Sequence, residues 1–199
     1  MDPNETCVEE LLRGYGLRTE RFSKDEMRLG RTPDFKVFNE DRFKFYCEVK
    51  TIDYDKWLDN KLSEVPSGVI AGGLRPDPVF NRIVDDIHTA IKQFDAVNPN
   101  LLFPNVLAIV NHDSICGIHD LWSVLTGCFI GEGGKADYIY PQYSEGKIRE
   151  EKQRIHLYIW VDKHEKPKYV FNQFGKKIYE LDLCSCFGID PLLIRKIGV

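Results

Sequence analysis

Asp34, Glu48 and Lys50 are the residues whose types and spacing could carry chemistry. They sit in two stretches, 33–38 and 42–52, where apolar and polar residues alternate with the period of a β-strand. Asn39-Glu40-Asp41 lies between them as turn material. In the second stretch Phe43, Phe45, Cys47 and Val49 share one face, and Arg42, Lys44, Tyr46, Glu48 and Lys50 the other. Folding the hairpin about Glu40 sets Asp34 opposite Tyr46 and diagonal to Glu48, roughly 7–8 Å away at the backbone. Carboxylates so placed can converge on one cation, and hard oxygen ligands with room for water suit Mg²⁺ or Mn²⁺. Lys50, one pleat further on, is placed to position a water or to stabilise charge on a phosphate.

Other elements must hold that hairpin. Residues 5–15 read as a helix with Val8, Leu11, Leu12 and Tyr15 on one face, ended by Gly14 and Gly16. Leu17 to Phe22 reads as a short strand. From Asp53 to Pro78 the chain is rich in Gly and Pro, a long loop that could serve as a substrate-binding flap or be a plain excursion. Asn81 is a candidate cap for a helix reaching Val97, with Ile83, Ile87, Ala90, Ile91 and Phe94 as its buried stripe. Leu107 to Val110 has the apolar run of a central strand. Ile118 to Leu125 reads as helix, and further strands are expected at 155–162, 168–172 and 177–182. This order predicts a mixed α/β sandwich around one sheet, within a length of 199 residues that suits one domain.

Thr32-Pro33-Asp34-Phe35 followed by Cys47-Glu48-Val49-Lys50-Thr51 resembles the signature of the PD-(D/E)XK nucleases. That superfamily includes restriction enzymes, Holliday-junction resolvases and repair and phage nucleases. The resemblance covers about the first 110 residues and implies a restriction endonuclease-like mixed sheet flanked by helices. The nuclease core would span about 5–112, with an α/β extension at 113–199. It further implies that Asp34, Glu48 and the backbone carbonyl of Val49 bind Mg²⁺, with Mn²⁺ able to substitute. Lys50 would orient or deprotonate the attacking water, leaving a 5′-phosphate and a 3′-hydroxyl. Many members carry a glutamate in the first helix; Glu5 matches that position best, and Glu9 lies one turn later on the same face. Gln93, on the helix at 81–97, is similar to a residue that follows the motif in several branches and would contact the site or the nucleic acid. The implied partner is nucleic acid, DNA rather than RNA, with a homodimer where both strands are cut. The alternative is a non-catalytic nucleic-acid- or protein-binding module on the same fold.

Composition sets the surroundings. Hydrophobic residues make up 43% and charged residues 29%, which excludes a disordered chain. No apolar run approaches the roughly 18 residues of a membrane span. Met1 to Glu10 is polar and acidic with no secretory pattern, so the expectation is a cytoplasmic protein without a membrane partner. The six cysteines are then expected as free thiols. A net charge of −4 is not that of a broadly basic nucleic-acid binder, so any such surface must be local, as at Lys147 to Arg154 or Lys163 to Lys168. His112-Asp113 reads as a turn or cap, His88 as structural, His156 and His164 as flanking a strand without ligand spacing, and Gly131 to Gly134 as a turn without the lysine of a phosphate loop.

Overall fold

The computed structural model describes residues 2–28, 30–54, 56–69, 79–130, 136–138, 148, 151–162, 165–172 and 177–194. In chain order its main elements are α1 (Pro3–Gly14), β1 (Leu17–Glu20), α2 (Lys24–Arg28), β2 (Phe35–Asn39), β3 (Arg42–Ile52), α3 (Trp57–Ser63) and α4 (Val79–Val97). There follow β4 (Asn105–Asn111), α5 (Ile118–Thr126), β5 (Cys128–Ile130), β6 (Ala136–Tyr138), β7 (Leu157–Asp162), β8 (Lys168–Phe171) and α6 (Lys177–Phe187). Six strands form one mixed sheet in the order β1-β2-β3-β4-β7-β8, and β5 and β6 pair separately. β1, β2 and β3 are antiparallel neighbours, β3, β4 and β7 run parallel, and β8 is antiparallel to β7.

The two sheet faces carry separate cores. Val8 and Leu12 of α1 and Leu183 and Phe187 of α6 pack on Phe45, Cys47 and Val49 of β3. Ile83, Ile87 and Phe94 of α4 and Leu121 and Val124 of α5 pack on the opposite face with Ile52, Leu107 and Ile109. The helical stripe of α4 therefore falls where apolar spacing set it, and β4, buried at every residue, is the central strand. Among the described residues no helix is long and apolar enough to cross a membrane.

Several expectations are corrected. Phe38 pairs with Phe43 but Val37 pairs with Phe45, so Lys44 is an extra residue, a β-bulge. The bulge turns Phe43 to the other face, where its ring meets Tyr46 at 4.7 Å and Phe103 at 4.6 Å rather than joining Phe45 and Cys47. The bulge and the two-residue turn, in which Asn39 pairs with Arg42, each advance the register by one, so Lys36, not Asp34, stands opposite Tyr46. Residues 177–182 are the start of helix α6, not a strand. The helix at 81–97 begins at Val79, so Asn81 lies inside it and does not cap it. Within 53–78 a helix forms at Trp57–Ser63, while 70–78 lie outside the described residues, as does the glycine run at 131–134. The short helix α2 and the β5–β6 pair were not anticipated. All six cysteines are free thiols.

Candidate active site

Phe35 and Cys47 are the last paired residues of the β2–β3 ladder, and Asp34 and Glu48 stand one step beyond. There the two strands part, and side chains replace the ladder. Asp34 Oδ2 accepts from the Val49 backbone N–H at 2.8 Å, and the Asp34 N–H donates to Glu48 Oε2 at 3.1 Å. This reciprocal pair satisfies backbone donors that strand separation would otherwise leave open. It also holds the two carboxylates side by side, closer than the diagonal arrangement read from a regular hairpin.

Glu48 is 2% exposed. Burial, and then the neighbouring Asp34 charge, push its carboxyl up to about 8. Asp34 is raised too, by burial and by the charge of Glu5, against the lowering effect of the Val49 N–H. Lys50 Nζ donates to Glu48 Oε1 at 2.6 Å and to Gln93 Oε1 at 3.1 Å. Gln93 Nε2 in turn donates to the Thr32 carbonyl at 3.0 Å. One glutamine of α4 therefore ties the lysine of β3 to the segment that delivers Asp34.

Asp34, Glu48, Val49, Lys50 and Gln93 are thus brought together. Glu5 lies near enough for its charge to act on Asp34, and Arg21 pairs with it. Glu9 is engaged by Thr19 and Arg13, and of the two helical glutamates it is Glu5 whose charge raises Asp34. Two contributors were missed. The Thr32 carbonyl holds Gln93, and Asp86 of α4 interacts with Lys50 while burial pushes its carboxyl up to about 6. Asp86 precedes Gln93 by seven residues, two helical turns, so their shared face was open to a helical-wheel reading.

Among the described residues no three His, Cys, Asp or Glu side chains converge as a cage for a metal ion. The donor set is instead two carboxylates beside a main-chain segment, which fits a hard divalent cation that keeps several waters. Two adjacent carboxylates, Glu48 buried and Asp34 half-buried, with one lysine bonded to Glu48, leave negative charge uncompensated when both ionise. A divalent cation would supply what is lacking.

His112, Asp113, His88 and His156 stand outside this cluster. Asp113 Oδ1 accepts from the Ile115 N–H at 2.8 Å, a turn rather than a helix cap, since Gly117 is the N-cap of α5. His156 is buried and accepts from the Asn105 N–H through Nδ1 at 3.0 Å. No family model matches this chain, and neither a curated protein nor a solved structure matches it.

Proposed function

We propose that the protein is a metal-dependent nuclease of the PD-(D/E)XK type that hydrolyses phosphodiester bonds, in DNA rather than RNA. The observation that carries this reading is the Asp34–Glu48 pair, a half-buried and a buried carboxylate held side by side, with Lys50 bonded to Glu48. The order helix, three antiparallel strands, helix, parallel strand from α1 to β4 is also the order that the motif resemblance implies.

Asp34, Glu48 and the Val49 carbonyl would hold Mg²⁺, with Mn²⁺ as a substitute. The bound ion would lower the pKa of a water and stabilise charge on the scissile phosphate. The residues of the chain do the positioning. Gln93 Oε1 and Glu48 Oε1 fix the Lys50 ammonium from two sides, so it points at one place at little further entropic cost. From there the ammonium orients the attacking water or donates to a phosphate oxygen. The Val49 N–H fixes the Asp34 carboxylate through Oδ2, which would hold it ready for the ion.

The test is cleavage of supercoiled, linear and single-stranded DNA with Mg²⁺, Mn²⁺ or EDTA, beside calorimetric titration with Mn²⁺. Wild-type protein is expected to cut only with metal. Lys50→Ala should reduce cleavage by about 10²-fold or more while Mn²⁺ still binds. Asp34→Ala should lose both. A wild type that cuts no substrate and binds no Mn²⁺ would leave a non-catalytic binding module as the better description.

A further inference from the structure

One step along β3 from Glu48, on the same face, a cavity of about 250 Å³ opens between the sheet, α2 and the last turn of α4. Its walls include Phe22, Tyr46, Lys36, Glu26, Thr32 and Ala96. The Phe22 and Tyr46 rings are close to parallel, with centroids 6.1 Å apart and planes inclined by 23°. Lys36 Nζ lies 4.6 Å from the centre of the Phe22 ring and pairs with the Glu26 carboxylate. Thr32 joins the cavity to the cluster above, since its carbonyl anchors Gln93. Ala96 lies one helical turn after Gln93, and a Cβ built on Gly30 would stand 3.7 Å from the Ala96 Cβ. Gly30 and Ala96 thus approach closely at one rim of the cavity.

We infer that this cavity receives a single unpaired nucleobase next to the scissile phosphate, and that the enzyme selects DNA by the presence of such a base. The inference rests on the nuclease reading and adds to it a class of substrate. The volume is below the roughly 300–1,000 Å³ of pockets for drug-sized ligands and suits one small ring system. Phe22 and Tyr46 stack on each other and leave no gap for a base between them, so a base would lie against the outer side of this aromatic pair, a contact that any base can use. A lysine donor beside a glutamate acceptor matches a Watson–Crick edge, which carries both kinds of group in every base and is free only when the base is unpaired. The pair thus favours an unpaired base over a paired one more than it distinguishes one base from another. Alternate residues of a strand lie about 7 Å apart, so a base at Tyr46 leaves its phosphate within reach of Glu48 and Lys50.

The experiment compares metal-dependent cleavage of a fully paired duplex with that of the same duplex carrying one unpaired nucleotide. Wild-type protein should cut beside the unpaired base at least about tenfold faster. Ala96→Trp fills the cavity from an exposed helical position and should abolish this preference while leaving cleavage of the paired duplex within about twofold. In EDTA, 2-aminopurine at the unpaired position should change its emission on binding wild-type protein and not on binding Ala96→Trp. Should that variant fail to fold, Lys36→Met is used in its place and should also reduce the preference. A wild type that cuts with metal but shows no preference, or one whose preference survives in the variant, overturns the cavity assignment alone. A wild type that neither cuts nor binds DNA overturns the nuclease reading with it.

Discussion

At the scale of single residues, the site works by placing titratable groups where water cannot relax around them. Asp86 shows this away from the carboxylate pair. Burial raises its carboxyl to about 6; Lys50 and Arg82 oppose the shift, and Asp85 and Asp53 add to it. The unfolded chain releases this proton near the ordinary value of 3.8, while the folded chain keeps it until about pH 6. The contribution to stability is therefore present at low pH and is lost as pH rises through that interval. Asp86→Asn keeps the shape and removes the titration. Its unfolding midpoint should rise relative to wild type between about pH 4 and 6 and then hold a constant offset. Denaturant curves at a series of pH values check this, and parallel stability profiles for the two proteins would refute it. Cleavage should respond separately, because the same change alters the field at Lys50.

At the scale of elements, the β2–β3 hairpin carries most of the design. Its two-residue turn places Glu40 at φ 52°, a left-handed conformation. That conformation costs an L-residue on the order of 1–2 kcal/mol, while glycine loses about 0.5–1 kcal/mol more entropy on folding. Glu40→Gly should therefore stabilise the protein by up to about 1 kcal/mol. The denaturation midpoint should rise with an unchanged m-value, and a lowered midpoint would show that the Glu40 side chain stabilises the turn by other means. The hairpin, α1, α4 and β4 were readable from sequence because each has one dominant period over a long window. The bulge at Lys44 was not, since no glycine or proline marks it, and together with a turn of two residues, where folding about Glu40 assumed three, it moved Asp34 from the diagonal of Glu48 to a place beside it. α6 was misread because Tyr179, Leu181 and Leu183 alternate with Glu180 and Asp182 as in a strand. Only the longer spacing of Tyr179, Leu183 and Phe187 is helical, and Leu181, 47% exposed, lies off that face. The acid–acid–lysine set was readable by residue type. Its bonding partners, the Val49 N–H and the Thr32 carbonyl, are backbone groups that no motif displays.

At the scale of the molecule, the site depends on a sheet that does not divide where the motif ends. Residues 5–112 contain every candidate catalytic group, yet β4 pairs along its full length with β3 on one side and from Val106 to Asn111 with β7 on the other. Leu157, Tyr158, Ile159 and Trp160 of β7 are all 0–1% exposed, and they contribute to both cores. A fragment ending at residue 112 would lose those four side chains and, from the helices on the two faces, Leu121 and Val124 of α5 and Leu183 and Phe187 of α6. It would also present β4, buried at every residue in the whole protein, as an unpaired edge, a template for aggregation. Large buried side chains are each worth about 1.5–3 kcal/mol of transfer free energy, so the loss exceeds the roughly 5–15 kcal/mol net stability of a domain. The fragment should show no cooperative thermal transition by circular dichroism and should sediment as aggregate, although its Asp34, Glu48 and Lys50 are intact. A monomeric fragment with a sharp transition and metal-dependent cleavage would mean that the motif-bearing half folds by itself and that the remainder is an appended layer. The pairing of β4 with β7 favours the first outcome, in which the second half of the chain forms part of the scaffold that keeps β3 straight behind Glu48.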